Sequence, residues 1–417
     1  MPPSDAANRN ATRWAIRIVP IFIFGAFGFS AYAVVAHLCV NYLYRQKYQY
    51  GTAIALIVLY AVFYLLTLWS YLRTLIIANT DPAFVPYTER RETAEKERKA
   101  VKANRKAKGG DIESQESWLP ADTDPDSPGL EAFYSKDVFI CESDGRPRWC
   151  SLCWNWKPDR ASHSSELERC VRKMDHLCPW VGGMISETNF NFFTHFTFYC
   201  TLFLSVCLGA AAYCLRLQQK EGRSLDGIIV AVLVLAGLFG FFAFGMTATS
   251  ARYIFQNITN IDVLRQDQQQ YLAIRVPLDS PSTPTYWTVT YPLTTSTRAP
   301  LGRNGEPPPP ADGRANVPSE SKPTPPSAAK RDAAARRTFA LVKTELGENP
   351  FDLGPWRNFK SVMGNGPLEW LLPMWHSPCC NHDSIHSDYE FGPLIDELRK
   401  RYKLPATDEN AEANGGS

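Results

Sequence analysis

Four consecutive residues, Asp175-His176-Leu177-Cys178, carry the groups that acyl transfer needs. A thiol is a strong nucleophile only as its thiolate, and a neighbouring imidazole can take its proton while a carboxylate orients the ring. In an extended backbone residues i and i+2 share a face, which would set His176 beside Cys178, whereas Asp175 needs a turn to reach the imidazole. The other reading of these four residues is a surface histidine near a buried cysteine. Upstream, Cys150 and Cys153 form a C-x2-C knuckle, followed by His163 and Cys170. Three thiolates and one imidazole make a closed tetrahedral set suited to zinc. With four protein ligands such an ion has no open position, so its expected role is to hold a segment with little apolar core of its own. Pro179 and Trp180 offer an apolar wall beside the thiol. Lys157, Arg160, Arg172 and Lys173 are candidates to meet phosphates, although each taken singly reads more readily as a solvated charge.

The elements that must position these groups are apolar and long. Averaged over 417 residues the chain looks like an ordinary soluble protein, with 45% hydrophobic residues, 21% charged and a formal charge of +2. That balance excludes a globally basic nucleic-acid binder, and 31 prolines, crowded into the last third, exclude a single compact body. Four stretches lack Asp, Glu, Lys and Arg altogether: Ile18 to Tyr44, Gly51 to Leu72, Thr188 to Leu215 and Gly227 to Ala251. A hydrocarbon core of about 30 Å needs about 20 helical residues, and in lipid a helix satisfies its own backbone. The first run is too long for the apolar part of a secretion signal and lacks a small-residue cleavage site, so it is expected to remain in the mature protein.

The predicted fold is therefore an all-α membrane protein of four transmembrane helices, at 18–44, 51–72, 188–215 and 227–251, with a small zinc-stabilised, loop-rich cysteine-rich domain at about 148–187. By parity the N-terminus (1–17), the loop 73–187 and the tail 252–417 share one side. Seven of the thirteen residues from Lys96 to Lys108 are basic, beside Arg9, Arg13 and Arg17, so that side is expected to be cytosolic. A cytosolic placement makes disulfides among the eleven cysteines improbable and leaves metal binding or catalysis to explain their clustering. In the tail, 277–337 is polar and proline-rich and is expected to be a disordered linker, while 349–374 is dense in aromatic and aliphatic residues and is expected to fold back.

The motif, residue by residue, resembles the DHHC family of membrane palmitoyltransferases. The family pattern is met by Cys150, Cys153, Lys157, Pro158, Arg160, His163, Cys170, Asp175, His176, Cys178, Pro179, Trp180 and Val181 at unbroken spacing. Asp81-Pro82-Ala83 resembles the family's DPG element, Thr259-Asn260-Ile261-Asp262 its TTxE element, and Asn349-Pro350-Phe351 through Asn358 its aromatic C-terminal element. The resemblance implies that Cys178 is acylated by palmitoyl-CoA with His176 as general base, then passes the chain to a cysteine of a membrane-associated, cytosol-facing protein. It also implies a second zinc site whose ligands are replaced together, by Ser164, Leu167, Leu177 and Met184, as in a divergent fungal branch, so one zinc per chain is expected. Phe203 falls where the family places a residue closing the far end of the acyl cavity, and its bulk is expected to suit chains no longer than palmitoyl.

Three features lie outside this scheme. His195 near the start of the third apolar run invites a functional reading as an ionisable group in a membrane span. Cys200, Cys207 and Cys214 repeat every seven residues and read as packing residues. The cluster His376, Cys379, Cys380, His382 and His386 reads as a metal site, an acylation site or an unliganded surface. The rival function is a catalytically silent membrane scaffold that keeps one zinc for shape; a channel or transporter finds no support in paired intramembrane charges or broken helices.

Overall fold

The computed structural model describes residues 5–87, 130–291, 336–380 and 388–406. The basic run at 96–108, most of the proline-rich linker, His382 and His386 lie outside the described residues.

Four helical rods are long and apolar enough to cross a membrane. The first is α1 (Asp5–Ser30) continued by α2 (Ala31–Gln46), which has a wider, π-helical winding and ends with Lys47 N donating to Tyr42 O, five residues back. The second is α3 (Tyr50–Thr80). Their outward faces carry large apolar side chains open to the surroundings, such as Ile21, Phe22 and Leu65. That arrangement suits lipid and not water. Inward, Ala33, Leu38, Cys39, Ala53, Cys207, Ala210, Ala211, Cys214 and Ala236 build one continuous core. Small side chains there let helices approach closely, which is how membrane helices gain packing energy without a hydrophobic drive between them.

The rods run past the uncharged stretches. At 1.5 Å per residue the 31 residues of α3 extend about 46 Å, more than the apolar core of a bilayer needs. The excess turn contains Tyr71, Thr74, Ile77 and Ala78, all buried, while Arg73 turns out to give Nη2 to Met374 O at 3.1 Å.

The segment between the second and third rods begins with the short helix α4 (Glu131–Tyr134) and strand β1 (Val138–Cys141). Three two-stranded antiparallel ribbons follow: β2 (Trp149–Cys150) with β3 (Asn155–Trp156), β4 (Ser162–Ser164) with β5 (Arg169–Val171), and β6 (His176–Cys178) with β7 (Gly183–Ile185). Then come the third and fourth rods, α5 (Phe190–Lys220) and α6 (Gly227–Gln256). Asp226 caps α6 by accepting from Ile228 N at 2.9 Å and binds His37 Nε2 of α2 at 2.6 Å, which ties the rods together at the end away from the ribbons.

Beyond α6 lies the short helix α7 (Asn260–Leu264), then β8 (Tyr271–Val276), β9 (Trp287–Tyr291) and β10 (Arg337–Lys343). They form, with β1, an antiparallel sheet of order β1-β8-β10-β9. Alternate residues face opposite ways. Ile140, Leu272, Ile274, Ala340 and Val342 pack beneath Ile395 and Leu398 of the terminal helix, while Phe139, Ala273, Tyr291, Phe339 and Leu341 pack on Phe133 and Trp156. This sheet is an addition to the expected helical architecture. Its strand β9 falls inside 277–337, the segment expected to be disordered: Tyr286 and Tyr291 are buried there because β10 supplies a partner that the polar composition of the segment does not reveal.

The remaining tail elements are α8 (Pro355–Met363), α9 (Pro367–Leu371) and α10 (Leu394–Arg401). α8 sits against the end of α6 through Val362, Met363 and Ile254.

Candidate metal centre and acyl-transfer site

Two hairpins assemble the cysteine cluster. The turn between β2 and β3 folds the knuckle, with Cys153 N donating to Cys150 Sγ at 3.3 Å and Trp154 in the left-handed region at φ 56°. The β4–β5 ribbon sets His163 directly opposite Cys170. His163 Nδ1 then lies 3.6, 3.2 and 3.9 Å from the sulfurs of Cys150, Cys153 and Cys170. All four ligand atoms fall within 4.8 Å of one another. A tetrahedral ion with metal–sulfur bonds of about 2.3 Å separates its sulfurs by about 3.8 Å, so this donor set fits one metal ion.

The electrostatics agree with that fit. Hydrogen bonds from Cys153 and Cys170 draw the Cys150 thiol far below its ordinary range, and the sulfurs around His163 push its pKa up to about 9 despite burial. The same crowding drives Cys170 upward, as closely packed thiolates demand a cation to be charged together.

The positions of the second expected ligand set hold a different kind of contact. Leu177 on β6 pairs directly with Met184 on β7, and Met184 is fully buried. Ser164 Oγ donates to Glu166 Oε2 at 3.0 Å and accepts from Leu167 N at 3.3 Å, closing the β4–β5 turn by hydrogen bonds.

Strand β6 is extended, so His176 and Cys178 share a face. The turn needed for the carboxylate is present: His176 Nδ1 donates to Asp175 Oδ2 at 2.5 Å, leaving Nε2 for the thiol. The other oxygen, Oδ1, accepts from Asn260 N at 2.8 Å at the start of α7. Burial disfavours a charged imidazole, but the hydrogen bonds and charges of Asp175 and Cys178 outweigh it and push His176 up to about 10. Cys178 itself is 3% exposed and belongs to the core formed by the rods, with Tyr71, Val181 and Phe193.

The loop from Cys178 to Gly183 lies directly on the helices. Tyr71 Oη donates to Trp180 O at 3.1 Å. A Cβ at Gly183 would stand 2.8 Å from Cβ of Ala78 and 2.9 Å from its carbonyl oxygen, so this close approach of β7 to α3 requires glycine. Trp180 is exposed and stands beside Phe239 and Phe242 of α6.

The four basic candidates part company. Arg160 is buried and internal: Nη1 donates to Asn257 Oδ1 at 2.8 Å, and Nη2 to Asn257 O at 2.9 Å and Asp262 Oδ2 at 2.7 Å. A guanidinium this enclosed clamps the cysteine-rich module to the end of α6. Arg172 is likewise buried, 3.4 Å from Glu187, and Lys173 lies 3.8 Å from Cys379 Sγ. Both are turned to internal partners. Lys157 is half-buried and takes no ion pair among the described residues.

Several positioning residues have little signal in the sequence. Asn257 ends α6 in the left-handed region, φ 47°, and gives Nδ2 to Phe351 O at 2.7 Å. Asn358 gives Nδ2 to Phe255 O at 2.8 Å, so the tail and the last helix exchange amide contacts. His195, an apparent functional group, donates Nε2 to Trp370 O at 2.9 Å and anchors the tail along α5. Phe203 points inward and is enclosed by the rings of Phe27, Tyr60 and Tyr64, with Tyr60 Oη 2.9 Å from Ser30 Oγ.

A family profile described as DHHC palmitoyltransferase matches residues 143–267, which takes in the whole cluster, all three ribbons and the last two rods. Over nearly its full length the chain is similar to curated fungal proteins. It is 37% identical over 443 residues to palmitoyltransferase pfa5 of Aspergillus fumigatus, covering 98% of this chain and 94% of that protein. To palmitoyltransferase pfa5 of Emericella nidulans it is 34% identical over 438 residues, covering 95% and 87%. Palmitoyltransferase ZDHHC20 of Mus musculus is 31% identical over 195 residues, 46% of this chain and 45% of that one. The chain belongs to the DHHC palmitoyltransferase family.

Proposed function

We propose that the chain is a protein S-palmitoyltransferase in which Cys178 carries the acyl group. The reading rests above all on the Asp175–His176 contact at 2.5 Å, on a strand that presents His176 and Cys178 to one side at the mouth of the helical core. The sulfur of Cys178, its proton already held by His176, attacks the carbonyl carbon of palmitoyl-CoA; the C–S bond to coenzyme A breaks, and coenzyme A takes the proton from His176 and leaves as its thiol. A cysteine of a protein substrate then attacks the new thioester in the same manner and regenerates Cys178.

Asp175 orients His176 and favours its charged form, as an aspartate does in a nucleophile–imidazole–carboxylate triad. The acyl tail enters the apolar core between the rods, losing its hydration, and Phe203 with Tyr60 closes the far end. Trp180 borders the entrance, and Lys157 is the basic residue left to meet the phosphates of coenzyme A. Cys150, Cys153, His163 and Cys170 would hold one zinc ion, which supplies structural rigidity and no open coordination position. The basic bias of the ribbon-bearing side supports a cytosolic site, where acyl-CoA and membrane-associated protein substrates are both at hand.

The test is autoacylation. Purified full-length protein in detergent, incubated with labelled palmitoyl-CoA, should acquire a label that hydroxylamine removes, and C178S should not. A wild-type chain that takes no label would favour the silent zinc-containing scaffold.

A further inference from the structure

A second set of reactive groups stands behind the Asp175–His176 pair, and acyl transfer leaves it unused. The tail turns back beneath the start of α5, where His376 Nδ1 donates to Thr188 O at 3.2 Å and Cys379 N to Ser361 O at 3.0 Å. The turn closes a cavity whose walls include Lys173, Asp175, Glu187, Thr259, Ser377 and Cys379. Lys173 Nζ donates to Cys379 Sγ at 3.8 Å, and Cys380 Sγ lies 2.9 Å from Glu187 O. Ser377 is 3% exposed, yet its Oγ has no hydrogen-bond partner among the described residues. A buried hydroxyl without a partner beside an ammonium group suits a small polar guest. Both cysteines are half-buried.

The pair is also electronically unequal. The hydrogen bond from Cys380 draws Cys379 down, outweighing burial and helped by the charges of Lys173 and Arg160, to about 5; Cys380 is pushed well above its ordinary value. One thiolate therefore neighbours one thiol, the arrangement of a peroxidatic cysteine and its resolving partner.

We propose that Cys379 and Cys380 form a reversible thiol switch that takes a small hydroperoxide as its oxidant. The Cys379 thiolate attacks one oxygen of hydrogen peroxide: an S–O bond forms, the O–O bond breaks, and the departing hydroxide takes a proton to become water. The sulfur is oxidised to a sulfenic acid and the peroxide is reduced. Cys380 then loses its proton and attacks that sulfur; the S–S bond forms, the S–O bond breaks, and a second water leaves. Two thiols have given two electrons to one peroxide. A disulfide between adjacent residues is strained and hence readily reduced by thiols. Its formation strips Lys173 of its anion and pulls Cys380 from Glu187, in the cavity that Asp175 also lines. On the acyltransferase reading above, oxidation therefore slows autoacylation.

The site is tested apart from the activity. Full-length protein in detergent is treated with hydrogen peroxide and digested, and the peptide holding Cys379 and Cys380 is weighed. It should become lighter by two hydrogens, ahead of the membrane-buried cysteines, and recover with dithiothreitol. C380S should stop at the sulfenic acid, trapped at Cys379 by dimedone, and K173M should slow oxidation about tenfold. C379S should autoacylate like the wild type and lose sensitivity to peroxide. Oxidation confined to other cysteines, or a dimedone adduct as abundant in the wild type as in C380S, overturns the proposal whether or not the chain autoacylates.

Discussion

Asp175 holds His176 through one carboxylate oxygen, at 2.5 Å, while its other oxygen takes the backbone N–H of Asn260, so the orientation of the ring is set by a chain segment 85 residues away. An asparagine at this position can present an N–H to Nδ1 and favour the wrong tautomer. D175N should therefore retain the fold and lower the rate of autoacylation by about 100-fold or more. Single-turnover labelling measures it, and a loss smaller than a few-fold would remove Asp175 from the mechanism.

The same contact makes a prediction about pH. His176 keeps its proton up to about 10 in the folded chain, against 6.5 ordinarily. A group with a raised folded pKa contributes stability that is fully present below about pH 6.5 and is lost as pH rises through about 10. The gap in Tm between wild type and H176Q should be widest near neutral pH and narrow as pH approaches 10. A gap that widens over that interval contradicts the protonated ring.

Metal content follows from the donor geometry. One equivalent of zinc is expected by mass spectrometry, and C153S should lose it together with autoacylation and much of its thermal stability. Binding to structural Cys/His sites is worth on the order of 10 kcal/mol, so chelation should unfold the ribbons before the membrane helices. Two equivalents in the native chain would contradict the single-ion reading.

Leu177 opposite Met184 tests that reading from the other direction. L177H restores the imidazole of the family motif without the thiols that would accompany it. It should lower stability by about 1–3 kcal/mol, as burial of a poorly partnered polar group does, and leave the zinc content unchanged.

Phe203 is enclosed by three aromatic rings at the expected end of the acyl cavity. F203A should raise the use of stearoyl-CoA relative to palmitoyl-CoA by about 3- to 10-fold, read from competition labelling. An unchanged ratio would return Phe203 to a packing role.

The local chemistry was legible in the sequence because it is local. The C-x2-C knuckle, the i and i+2 relation of His176 to Cys178, and the uncharged runs all have periods or spacings that fix their geometry. What escaped depended on partners distant in the chain. Arg160 reads as a surface charge until Asn257 and Asp262 enclose it, and Trp287–Tyr291 reads as linker until β10 pairs with it. The uncharged run ends before Arg73, but the helix continues to Thr80, where Gly183 of the cysteine-rich module packs against Ala78.

The four-stranded sheet draws its two central strands, β8 and β10, from either side of the long tail insertion, and its first strand from the loop that leads into the cysteine cluster. During synthesis β1 is made long before Thr338–Lys343 leaves the ribosome, and β8, already able to pair with β1, must wait for its other neighbour, β10. A nascent chain therefore reaches the bilayer with its catalytic half still open. A nonsense mutation between positions 277 and 337 would leave a membrane-inserted product with an unpaired, apolar β8 edge, a substrate for degradation and not a shortened enzyme.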